Sequence, residues 1–215
     1  MFERFHGEYA SGSAPVPAGA MWRDEHLAWV DGYAAFASEF AGVSFRGGLY
    51  RVHDARTGPQ ALTLVAEGFP AFAARVRPFG YDWLGRQFAI DFGRIVGGQP
   101  QVLLLEPGTG EALEIPASFA SFHDEELTES ADAALAEEFF EAWSAGARDS
   151  LPLGRDQCVG YRVPLFLGGQ DAVENLELSD LAVYWSVCAQ LRQGVQPLPP
   201  ETVIEGVTFE DGERR

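Results

Sequence analysis

Between Arg75 and Ile115 the chain holds four strand-like runs with very little between them. Arg75–Asp82 and Gln87–Phe92 flank Trp83-Leu-Gly85. Gly97-Gly98 turns into the apolar run Gln101-Val-Leu-Leu-Leu105. Pro107-Gly-Thr-Gly110 then turns into Glu111-Ala-Leu-Glu-Ile115, which alternates polar and apolar as a strand does. A parallel crossover takes a dozen or more residues, so connections this short make the neighbours antiparallel. The expected fold class is therefore α+β, a mainly antiparallel sheet with flanking helices.

The flanking helices show as aromatic and acidic patterns. Asp24 precedes a helical spacing of Trp29, Tyr33, Phe36 and Phe40 that ends at Gly42, and the stripe is read as core. Val43–Phe45 and Leu49–Val52 are short strands around Gly47-Gly48. Pro59 opens a short helix running to Ala66. Ser118–Glu129 is expected as one helix. A second follows from Ser130, with Leu135, Phe139, Phe140 and Trp143 on its apolar face. In Cys158–Leu191, the apolar Leu165–Leu167 meets Gly168-Gly169. Asn175–Leu178 reads as a strand, and Ser179-Asp180 caps a final helix through Leu191. The whole stretch is expected as a core hairpin plus helix. Residues 1–23 are taken as an N-terminal loop segment, 24–209 as a single domain ending in a strand over Thr202–Phe209, and 210–215 as a frayed tail.

Charge narrows the function. The chain of 215 residues carries 32 acids against 15 bases, a net −17. Residues 95–147 hold 11 of those acids and no base. Such a field repels nucleic acid and attracts basic protein surfaces. Every base is Arg, and the absence of Lys excludes a P-loop, a protein kinase and Schiff-base chemistry. No apolar run is long enough to span a bilayer, and Met1–Glu8 has no signal-peptide core. Cys158 and Cys188 read as buried free thiols of a reducing cytoplasm.

No catalytic constellation stands out. His6, His26, His53 and His123 show no metal-ligand spacing. His53-Asp54 and His123-Asp124 are the two candidate acid–base pairs, and Asp82/Asp91 a candidate carboxylate pair for glycoside hydrolysis. No catalytic, cofactor or metal residue is assigned, and the protein is expected not to be an enzyme.

Three segments together are similar to a known family. They are Phe79–Asp91, Leu105–Glu111 with Phe119–His123, and Val163–Gly169 with Asn175–Asp180 and Val183–Trp185. The chain resembles the Tdi-type immunity proteins of bacterial type VI secretion DNase effectors, with a GAD-like N-terminal part. It is more distantly similar to the SUKH superfamily of toxin-immunity proteins. The resemblance implies a SUKH/GAD-like fold, divided into a GAD-like part at 24–150 and an immunity-type part at 151–209. It also implies a cytoplasmic protein that neutralises a cognate secreted toxin, encoded next door, with no cofactor and no membrane or nucleic-acid partner.

Resemblance and charge together suggest the contact. A nuclease surface is built for phosphates, and acids can imitate them. The expected partner-binding residues are Asp124, Glu125, Glu126, Glu129, Glu137, Glu138 and Glu141. A non-catalytic regulatory or scaffold module stays open as an alternative, as does an enzyme using His53 or His123.

Overall fold

In the computed structural model, which describes residues 1–9 and 19–195, six strands pair in chain order into one antiparallel sheet. They are β1 (Ser44–Phe45), β2 (Tyr50–Val52), β3 (Val76–Asp82), β4 (Gln87–Val96), β5 (Gln99–Glu106) and β6 (Glu111–Ser118). Register is set by the tight turns: Gly80 lies opposite Phe88, and Leu104 opposite both Phe88 and Leu113.

Both faces of the sheet are covered, which explains the unbroken apolar run in β5. One face presents Phe88, Ile90, Val102 and Leu104 to the larger core. Helix α1 (Glu3–Tyr9), helix α2 (Tyr33–Phe40) and the helical segment after β6 bring Phe5, Phe36, Phe119 and Phe122 onto it. The other face presents Ala89, Leu103 and Leu105 to Val65 of helix α3 (Thr57–Gly68). Trp185 and Cys188 of the last helix, here α8 (Leu181–Val195), close the same face. The Trp185 indole donates to the Gly85 carbonyl at 2.7 Å, fixing α8 to the β3–β4 turn.

The segment after β6 begins with α4 (Phe119–Ser121), where Ser118 and Ser121 cap each other reciprocally. It passes through one wide π turn, Phe122–Glu126, into α5 (Leu127–Glu129). Helices α6 (Ala131–Leu135) and α7 (Glu137–Gly146) follow. Strands β7 (Gln157–Tyr161) and β8 (Leu176–Asp180) form a separate antiparallel pair, with Cys158 opposite Ser179. Asp180 accepts from the Val183 amide and caps α8, as its position predicts.

Several expectations change. The segment before residue 24, expected as loop, contains α1, and its Phe5 is fully buried. The helix expected from Asp24 to Phe40 breaks at Gly32, whose φ is +82°. A side chain at Gly32 would meet Met1 and Phe2, so the break makes room for the N-terminus. Trp29, read as core, lies outside the helix at 50 % exposure, whereas Tyr33, Phe36 and Phe40 are buried. The helix expected from Ser130 breaks at Ala136, which takes a left-handed conformation. Leu165–Leu167 is a single half-buried helical turn rather than core, although Gly168 does take the positive φ (+85°) expected of it. The strand expected over Thr202–Phe209 and the tail at 210–215 lie outside the described residues.

Candidate functional site

The seven acidic residues expected to bind a partner fall into two groups in the structure. Asp124 Oδ1 accepts from the amides of Arg4 and Phe5 at 2.9 and 3.2 Å, holding the first turn of α1. Glu129 pairs with the Arg4 guanidinium and Glu137 with that of Arg46. Arg46 lies over the Tyr9 ring, and the Tyr9 hydroxyl donates to the Leu127 carbonyl at 2.9 Å. Asp124, Glu129 and Glu137 are thus already engaged in fastening the N-terminal helix and the β1–β2 turn to the acidic helices. Glu125, Glu126, Glu138 and Glu141 make no ion pair among the described residues, and Glu125, Glu138 and Glu141 are exposed. Asp132, also exposed, accepts from the Glu138 amide at 2.9 Å and so caps α7 across the break at Ala136. The sequence pattern had no means of separating the two groups, because Arg4 and Arg46 lie about a hundred residues away from their partners.

The two histidines singled out as acid–base candidates are buried. His123 is fully buried between Phe36 and Phe119, with ring centroids at 3.9 and 4.4 Å. Its nitrogens are satisfied by the Tyr50 hydroxyl (2.8 Å) and the Phe119 carbonyl (2.9 Å). Burial depresses its pKa to about 3, so the ring is neutral. It is a core residue, and Asp124 beside it serves α1. His53 meets Thr57 Oγ1 at 3.1 Å and Gln87 Oε1 at 2.7 Å, and burial lowers it to about 4. Asp54 accepts from the Thr57 amide and hydroxyl and caps α3 rather than serving the histidine.

The proposed carboxylate pair does not assemble. Asp82 ends β3 and grips Arg86 at 2.5 Å. Asp91 lies opposite Val76 at the other end of that strand and binds Arg75 at 2.7 Å. Six residues of strand separate the two positions by about 20 Å, well beyond the reach of a hydrolytic pair. Cys158 and Cys188 are free and buried, and burial pushes the Cys188 thiol up to about 12. Among the described residues no three His, Cys, Asp or Glu side chains are grouped to hold a metal ion, and no helix is long and apolar enough to cross a membrane.

One feature escaped the sequence pattern altogether. On the α3/α8 face of the sheet, a cavity of about 460 Å³ has His53, Tyr81, Gln87, Arg155, Leu64 and Leu181 in its lining. Its walls come from five elements, so no short motif announces it.

The sheet with helices on both faces defines an α+β protein built on an antiparallel sheet, and one structural relative extends over nearly the whole chain. The crystal structure of Atu4351 from Agrobacterium tumefaciens shares this fold with a TM-score of 0.59 and 16 % sequence identity, covering 88 % of this chain and 89 % of that one. Residues 117–192 match the family described as T6SS immunity protein Tdi1, C-terminal. The resemblance read from the sequence is borne out over that region, which includes all seven acidic candidates. No curated protein matches the chain.

Proposed function

We propose that this protein is a cytoplasmic immunity protein that binds and neutralises a cognate type VI secretion toxin through an acidic surface. The match of residues 117–192 to the Tdi1 immunity family carries the reading. The charge distribution supports a basic, nuclease-type toxin as the partner: residues 95–147 hold no base, and the chain as a whole is at −17. Glu125, Glu126, Glu138 and Glu141 supply the long-range attraction, since they have no internal counter-ion among the described residues. Asp124, Glu129 and Glu137 contribute indirectly, by holding the acidic helices against α1 and the β1–β2 turn. Inhibition is by binding, with no bond made or broken by this chain. In the same proposal residues 24–209 act as one domain, its GAD-like part at 24–150 and immunity-type part at 151–209. The contacts of Arg51 with the Gly154 and Gln157 carbonyls support that unity.

The test is co-expression with the secreted effector encoded beside its gene. The proposal expects a complex that survives purification and protection of cells from the effector. Full toxicity in the presence of folded protein, with no complex, would remove the proposal.

A further inference from the structure

Glu106 ends β5 at 9 % exposure, yet its side chain has no ion pair and no hydrogen bond among the described residues. Its oxygens keep some access to solvent: the sealed side-chain atoms without a partner are on Arg51, Gln87, Arg94 and Arg155. Burial raises the pKa of Glu106; Arg86 opposes the rise, and Asp82, Asp171 and Glu111 add to it. Four carboxylates thus face one guanidinium, and that guanidinium is already committed. Arg86 Nε donates to Asp82 at 2.5 Å and Nη2 to the Ala134 carbonyl at 3.1 Å. A desolvated carboxylate without a counter-ion is unfavourable, and a water molecule would satisfy its hydrogen bonds but not its charge.

The surroundings of Glu106 are firmly built. The Leu165 amide donates to the Gly108 carbonyl at 2.9 Å and pins the turn that follows β5. A side chain at Gly108 would lie 2.7 Å from the Tyr161 ring, so this turn packs directly on β7. The Tyr161 hydroxyl donates to the exposed Asp171 at 2.7 Å and holds that carboxylate in place. The acidic helices are close by. Arg86 reaches α6 at the Ala134 carbonyl, and the turn Val173–Asn175, just after Asp171, packs on α7.

These features select a ligand. Among the described residues no three His, Cys, Asp or Glu side chains are grouped to hold a metal ion, so the missing cation is organic. A guanidinium is permanently charged, weakly hydrated and planar, and its fork can bond more than one carboxylate oxygen. A protein surface built for phosphates is rich in such groups.

We propose that Glu106, with Asp171 near it, is a socket for an arginine side chain of the toxin. The inference rests on the immunity reading and adds an anchor to it. The exposed acids of the helices attract the toxin at long range, whereas the socket holds the docked complex.

The test is Glu106→Gln, titrated with the toxin domain of the effector encoded beside the gene, with association and dissociation rates read separately. The neutral isostere should speed dissociation at least about tenfold and leave association within about twofold. Its urea midpoint should stay the same or rise, because the fold no longer holds an unpaired buried charge. An unchanged dissociation rate would overturn the proposal. A lowered urea midpoint would assign Glu106 to Arg86 inside the fold and overturn it equally. If the unaltered protein forms no complex, the immunity reading itself falls, and this inference with it.

Discussion

Mild acid should destabilise this protein well before its carboxylates titrate, because of His53 and His123. In the unfolded chain both rings titrate at about 6.5. In the fold, burial holds His53 at about 4 and His123 at about 3. Both shifts are downward, so the fold holds the neutral ring; that stability is complete above about pH 6.5 and is lost as pH falls toward the folded values. Each ring costs up to about 1.4 kcal/mol per pH unit in this window. Integrated from pH 7 to 5, the two remove about 4 kcal/mol, a large share of an ordinary domain's stability. Asp24 and Asp54 are lowered despite burial, by hydrogen bonds and neighbouring Arg, and lose their contribution only at more acidic pH. Glu106 is raised by burial and offsets a part of the loss at the acid end. The assay is urea unfolding followed by tryptophan fluorescence at pH 7, 6 and 5. With a slope of about 3 kcal/mol per molar urea, the midpoint should drop by more than about 1 M. His123→Phe should lower stability at pH 7, because the Tyr50 hydroxyl loses its partner, yet flatten the pH dependence by roughly half. An unchanged midpoint between pH 7 and 5 would refute the reasoning.

Other consequences are as specific. Gly58→Ala would set a methyl 2.2 Å from the Trp22 ring, so Trp22 must leave its site; we expect a loss of about 1–3 kcal/mol in thermal unfolding. Asp124→Ala removes the acceptor for two α1 amides, and should cost about 1 kcal/mol and speed amide exchange in residues 4–9. Cys158 and Cys188 should not react with Ellman's reagent in the folded protein and should both react in denaturant, since burial raises both thiols.

The central sheet was legible because its signals are local. Tight turns at Gly97-Gly98 and Pro107–Gly110 and the run Val102–Leu105 fix strand order and direction within forty residues. The cap at Asp180 was equally local. What the sequence concealed depends on distant partners. α1 is too short to declare itself by periodicity, and it is held by Asp124, Glu129 and the aromatic cluster around Phe36. Trp29 follows the helical spacing, yet the break at Gly32 turns it outward. The acidic run showed where negative charge concentrates, but which carboxylates are consumed internally follows from Arg4 and Arg46. The cavity joins Gln87 to Arg155 across 68 positions of chain, a separation no motif spans.

The central claim is that acids without an ion-pair partner among the described residues draw in a basic toxin. Its most direct test is a titration of the cognate effector's toxin domain with the triple variant Glu125→Arg, Glu138→Arg and Glu141→Arg, at low and physiological salt. These side chains are exposed, so the fold should be retained. Reversing them should slow association by about tenfold or more at low salt and flatten the dependence of affinity on salt. Affinity and salt dependence equal to those of the unaltered protein would contradict the account.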